Sequence, residues 1–157
     1  MIPPRDAYQQ YGPALVRKAE RVLKNRDDAA DVVHALFADL LPKWTADMDL
    51  PYLYRAVTNR CLNALRDHAT RARLLAREGN AVAPLGRVRL DDAVVGVALI
   101  AQLADRLDEA HLEVLVARFV DDMTQEEIAG HLGVSRKTIG KRLDRIRDAA
   151  RALQGAA

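Results

Sequence analysis

Apolar residues in this chain recur at three- and four-residue intervals, the spacing that lines one face of an α-helix. Leu15, Ala19, Val22 and Leu23 form one such stripe, and Val32, Val33, Leu36, Phe37, Leu40 and Leu41 form a second that Pro42 ends. A longer third helix is expected from near Pro51, a residue tolerated in a first turn, to about Leu75. Its apolar side carries Leu53, Val57, Cys61, Ala64, Leu65 and His68. Between 79 and 92 two glycines and Pro84 break the period, which predicts a flexible linker. The pattern therefore predicts an all-α chain of two small helical domains, residues 1–78 and 93–157, joined by a linker at 79–92.

The second half is more richly punctuated. Helices are expected over 93–106 and 109–119, the latter with Leu112, Leu115, Val116 and Phe119 as its stripe, before a turn at Asp121-Asp122. Thr124-Gln125-Glu126-Glu127 has the form of a capping box: the Thr hydroxyl takes the N3 backbone N–H while Glu127 reaches back to the cap. Ile128, Ala129 and Leu132 make the next helix amphipathic, and Gly133 supplies a positive φ for a tight turn. Ser135 then caps a last helix that turns Ile139, Leu143, Ile146, Ala150 and Leu153 inward. Two short helices around a Gly-containing turn, the second of them basic, form a helix-turn-helix pattern.

Composition narrows the class. Half of the 157 residues are hydrophobic, enough for packed cores, while 4% aromatics with 8 Gly and 6 Pro argue against sandwiches and barrels. The longest nearly unbroken apolar run, 93–101, is far short of the roughly 20 residues a membrane span needs. The N-terminus lacks a signal peptide's apolar stretch and Cys61 has no second cysteine to pair with, so a reducing, cytoplasmic location is expected. The net charge of +2 indicates no partner, but the charge is arranged in blocks: −5 over 27–49, +5 over 55–77, −6 over 105–127 and +5 over 133–151. An acidic-then-basic unit thus occurs twice.

The basic blocks carry the candidate chemistry. With Ile139, Leu143 and Ile146 inward, the last helix turns Lys137, Lys141 and Arg145 outward, flanked by Arg136 and Arg142. Such cations donate to guanine edges or neutralise phosphates, and the helix start at Ser135 and Thr138 can donate to a phosphate. On the long helix, Arg55, Asn59, Asn63, Arg66 and Thr70 share one stripe led by Tyr52. Asn is a weak helix former, so two on one exposed face have no propensity reason, and amides read base edges. Trp44, Tyr52 and Tyr54 can stack unpaired bases. The same face also suits an ordinary polar surface, and the acidic stripe Asp27, Asp28 and Asp31 suits either a solvated helix start or a protein-binding surface. The four histidines lack metal-ligand spacing and neither Gly-containing turn is a phosphate loop, so neither metal, cofactor nor enzymatic activity is expected. Cys61, on the apolar side, reads as a small core residue.

These segments together resemble an extracytoplasmic-function (ECF) sigma factor of the sigma-70 family. Asp27-Asp28-Ala29-Ala30-Asp31-Val32-Val33-His34-Ala35-Leu36-Phe37 is similar to the segment by which that family docks on core RNA polymerase. Pro51-Tyr52-Leu53-Tyr54-Arg55-Ala56-Val57-Thr58-Asn59-Arg60 is similar to the stretch that melts and reads the −10 element. Glu126-Glu127-Ile128-Ala129, Leu132-Gly133-Val134-Ser135 and Thr138-Ile139 resemble the helix-turn-helix that reads the −35 element. The resemblance implies core polymerase contacts at Asp28, Asp31, Val32, Leu36 and Phe37, and single-strand −10 contacts at Tyr52, Arg55, Asn59, Arg60, Asn63 and Arg66. It further implies −35 contacts at Ser135, Arg136, Lys137, Thr138, Lys141, Arg142 and Arg145, and a separate anti-sigma factor as regulator. His34-Ala35 stand where the family commonly has Gln-Glu, Tyr52 stands for its usual Trp, and the loop 43–50, which in the family holds a flipped base, is short. Two rivals use part of the pattern: a helix-turn-helix regulator that never joins polymerase needs neither the acidic stripe nor the Asn-bearing helix, and a sigma mimic needs no basic recognition helix.

Overall fold

The computed structural model describes residues 1–77 and 96–155. Seven α-helices account for most of them, and among the described residues there is no strand. The chain divides into two compact units, Met1–Ala64 and Leu65–Ala157, with the division inside the third helix. The linker expected at 79–92, and residues 93–95 of the helix expected after it, lie outside the described residues.

In the first unit, α1 (Pro4–Leu23) begins with a proline in its first turn and ends at Lys24, which takes the left-handed conformation (φ 55°) and donates its N–H to the Glu20 carbonyl. Asn25 caps α2 (Arg26–Leu40), its side-chain oxygen accepting the Asp28 N–H at 3.0 Å, so Asp27 and Asp28 meet the positive end of the helix dipole. A 3₁₀ turn, Leu41–Lys43, carries Pro42 and closes the element. Ala7, Leu15, Ala19 and Val22 of α1 and Ala29, Val33, Leu36, Phe37 and Leu40 of α2 are all buried. Leu41, expected in that stripe, is 57% exposed because the chain has left the α-helical period at that residue. Phe37 is the middle of an aromatic row: Tyr8 meets it edge-on at 5.1 Å and Trp44 stacks on it at 6.0 Å, while His34 stacks on Tyr8 at 5.6 Å.

The long helix α3 (Leu50–Arg77) starts where the Asp49 carboxylate accepts the Tyr52 N–H at 3.0 Å. Its buried stripe is Leu53, Val57, Cys61, Leu62, Leu65 and Ala69. Ala64 and His68, expected on this side, are exposed. The seam advances by four residues from 53 to 57, 61, 65 and 69, and positions 64 and 68 stand about 100° behind it.

In the second unit, α4 (Val97–Arg106) buries Leu99, Ile100, Ala101, Leu103 and Ala104. Asp108 caps α5 (Glu109–Leu115). The α-helix expected to 119 stops at Leu115: Val116–Val120 forms a π-turn, closed by the Asp121 N–H donating to the Val116 carbonyl at 3.0 Å, and Asp122 at φ 54° makes the bend. The capping box of α6 (Gln125–Leu132) is complete, with the Glu127 N–H on Thr124 Oγ1 at 3.1 Å and the Thr124 N–H on Glu127 Oε1 at 3.3 Å. Gly133 at φ 68° turns the chain into α7 (Arg136–Gly155), whose Ile139, Leu143, Ile146 and Ala150 are buried while Leu153 is half-buried.

Cys61 is fully buried, as its apolar position predicts, and loss of hydration pushes its thiol from 9.0 up to about 12, a rise only partly opposed by the Lys18 ammonium. The folded state therefore favours the protonated thiol. Its contribution to stability is complete below about pH 9 and is lost as pH rises toward 12. Thermal unfolding of wild type and Cys61→Ala should accordingly differ in pH dependence: the wild type loses more stability across that window, and parallel curves would contradict the assignment.

Candidate nucleic-acid and polymerase-binding surfaces

The seam of α7 decides what its outer face presents. Arg136, Lys137, Lys141 and Arg145 are exposed, opposite Ile139, Leu143 and Ile146. Ser135 is committed to the cap: its Oγ accepts the Thr138 N–H at 3.1 Å and lies 3.0 Å from the half-buried Thr138 hydroxyl. Arg142 is half-buried, and its charge acts on Asp108 at the start of α5. There the Asp108 carboxyl is held below the usual carboxylate range, first by the His111 ring at 2.5 Å, then by the His111 backbone N–H at 2.9 Å, with the His111 and Arg142 charges adding to it. Four of the seven expected −35 residues thus form one open cationic face. Arg147 and Arg151 face Asp144 and Asp148 at 3.8 and 3.6 Å, so the second half of the helix is closer to charge balance than the first.

On α3 the expected −10 residues separate into two groups. Tyr52, Arg55 and Asn63 are exposed, with Arg55 and Asn63 each engaged in a contact within the fold. Arg60 is paired with Asp39 of α2, which ties the outer side of α3 to the acidic helix. Within the second unit, Arg66 donates through Nε to the Ala104 carbonyl at 2.6 Å, in the last turn of α4, and more weakly through Nη2 to the carbonyl of the capping residue Leu107 at 3.4 Å. Asn59 is half-buried, and its Oδ1 is buried with no hydrogen-bond partner among the described residues. Neither the Asp39 pairing nor the Arg66 contacts could be read from the sequence, since both join residues more than 20 positions apart. Trp44 is not an open stacking platform: it lies on Phe37 and its indole N–H donates to the Ile2 carbonyl at 3.0 Å.

The α2 face is divided by burial. Asp28 and Asp31 are exposed and Val32 is half-buried, whereas Leu36 and Phe37 lie inside the α1–α2 core. The two large residues expected to touch a partner therefore shape this face from beneath. Tyr8 and His34, stacked on one another beside Phe37, extend the surface at that end; His34 lies in the docking segment read from the sequence, whereas Tyr8 has no signature there. Among the described residues no group of His, Cys, Asp and Glu could hold a metal ion, and no helix is long and apolar enough to cross a membrane.

Comparison with known families identifies the stretches that carry these surfaces. Residues 7–71, comprising α2 with most of α1 and α3, match the model of sigma-70 region 2, and residues 103–152, which hold the helix-turn-helix, match sigma-70 region 4. Between them the two matches cover more than two thirds of the chain. The chain belongs to the sigma-70 family. It is a sigma factor, which binds core RNA polymerase and promoter DNA and directs transcription initiation. Among solved structures, this sigma factor is similar to the sigma factor RpoE from Bartonella quintana, determined in complex with the anti-sigma factor NepR. Identity is 15%, 96% of each chain is covered and the TM-score is 0.48. The comparison with curated proteins gives no match.

The open face of α7 gives a direct expectation for this sigma factor. Arg136→Ala and Lys137→Ala should each weaken promoter binding by the polymerase that carries it, while folding stability moves by no more than about 0.5 kcal/mol because both side chains are exposed. A residue that reads a base costs roughly 1–3 kcal/mol and relaxes preference at one position. A residue on a phosphate weakens all sequences alike and lowers the salt slope by about one. Unchanged binding in both variants would make this part of α7 a solvated surface.

Proposed function

We propose that this sigma factor is of the ECF type, with α7 reading the −35 element and the outer side of α3 reading and opening the −10 element. In this reading the exposed acids of α2, Asp28 and Asp31 with Val32, meet core polymerase. The polymerase supplies all the chemistry, and this chain is not itself an enzyme. The observation that carries the proposal is the open cationic face of Arg136, Lys137, Lys141 and Arg145, set opposite a sealed aliphatic seam within the stretch matched by region 4.

The two DNA surfaces have different chemistry, which supports different tasks. Long cations at the start of α7 suit a duplex groove, where guanine edges and phosphates both accept hydrogen bonds. Tyr52, Asn59 and Asn63 suit separated strands, because a ring can stack on an exposed base while an amide both donates to and accepts from its edge. Asn63 is exposed, whereas Asn59 is half-buried with its Oδ1 buried, so the Asn59 amide meets a base edge only after its side chain turns outward. Arg60 and Arg66 are held by Asp39 and by the α4 carbonyls, so each reaches DNA only by exchanging those partners. Each surface alone offers few contacts, and joining both to one polymerase multiplies their effect. A cytoplasmic location and a separate anti-sigma factor complete the proposal.

Run-off transcription with purified core polymerase tests it. Addition of the chain should direct the enzyme to discrete start sites downstream of paired −35 and −10 elements, while the chain alone binds the same duplex weakly. Start-site choice identical to that of core polymerase alone would overturn the reading.

A further inference from the structure

Helix α1 carries a second cationic strip that the −10 and −35 surfaces do not use. Arg17, Arg21 and Lys24 fall at i, i+4 and i+7 and are exposed, and together with Glu20 they line an open groove of about 450 Å³. At 100° per residue the three cations lie within about 60° of arc. They flank Lys18, the buried residue whose charge acts on Cys61 of α3, and stand away from Tyr8, which meets His34 and Phe37 of α2. The first unit is therefore polarised: acids on the open side of α2, cations on the flank of α1 turned from it.

Structural duties do not account for the strip. Arg21 is engaged within the fold, but neither the Arg17 nor the Lys24 side chain pairs with an acid among the described residues. Lys24 occupies the left-handed residue that closes α1, where glycine carries no steric penalty and lysine does. A lysine there complements the helix's negative end. That benefit does not extend to Arg17, two turns earlier.

We infer that the Arg17–Arg21–Lys24 strip is a third DNA contact, holding the phosphate backbone of promoter DNA. The occupant is polyanionic because three cations face one acid across the groove, and the phosphate backbone, which repeats negative charge at every nucleotide, matches cations spaced along one helix flank. Its role is to add salt-dependent affinity and to steer the strand. The inference rests on the reading of this chain as a promoter-binding subunit.

The test is the salt dependence of promoter binding by the holoenzyme. Arg17→Ala/Lys24→Ala should reduce the slope of log K against log salt by about 1.4–1.8, at 0.7 per single-strand and 0.9 per duplex phosphate, with start-site choice and affinity for core polymerase unchanged. Arg17→Lys/Lys24→Arg, which keeps both charges, should keep the wild-type slope and guards against a folding effect. Lys137→Ala/Lys141→Ala on α7 serves as reference. A slope lowered by the α7 variant but not by the α1 variant overturns the third contact alone. Loss of core affinity with the slope intact overturns it in favour of an acidic protein partner. A slope moved by neither variant removes the DNA reading beneath it.

Discussion

Burial of one aliphatic seam per helix is the constraint on which both proposed DNA surfaces depend. Ile139, Leu143 and Ile146 are fully buried, and burying side chains of this size is worth about 1.5–3 kcal/mol each. The exposed pairs Arg147–Asp144 and Arg151–Asp148 contribute at most about 1 kcal/mol each. Rotation of α7 about its axis is therefore set by the apolar side, and the directions of Arg136, Lys137, Lys141 and Arg145 follow from it. The same holds for α3, where the buried run Leu53, Val57, Cys61 and Leu65 leaves Tyr52, Arg55 and Asn63 outside. A polar substitution within either seam would disturb the face opposite it.

Two groups of cations stand out among the described residues. Arg60 and Arg66 meet Asp39 and the Ala104 carbonyl, and their contacts join helices within each unit. Arg136, Lys137, Lys141 and Arg145 on α7, with Arg17 and Lys24 on α1, stand in solvent. The division separates structural charge from charge that can answer to DNA.

Much of this was legible in the sequence where the signal is local. The complete Thr124–Glu127 capping box, the positive φ at Gly133 and the cap at Ser135 each follow from residues within one turn of one another. The buried face of α7 followed from its period. Long-range facts were not legible: that Arg60 meets Asp39, that Arg66 meets the end of α4, or that Phe37 is enclosed by Tyr8 and Trp44. Periodicity gave Phe37 an apolar position without saying whether α1 or a partner covers it. The π-turn at Val116–Val120 has no local marker either, because its residues suit an α-helix equally well. His68 was misplaced for a smaller reason, since one residue of error in the seam is about 100° of rotation.

The central claim is that the outer face of α3 acts on separated strands inside the polymerase complex, and permanganate reactivity of −10 thymines measures it most directly. Holoenzyme carrying Asn59→Ala/Asn63→Ala should still protect the −35 region, because α7 is untouched. Thymine reactivity should fall on linear promoters and be restored only in part on a preopened bubble, where melting is supplied but base reading is not. Wild-type thymine reactivity in this variant on linear DNA would contradict the account.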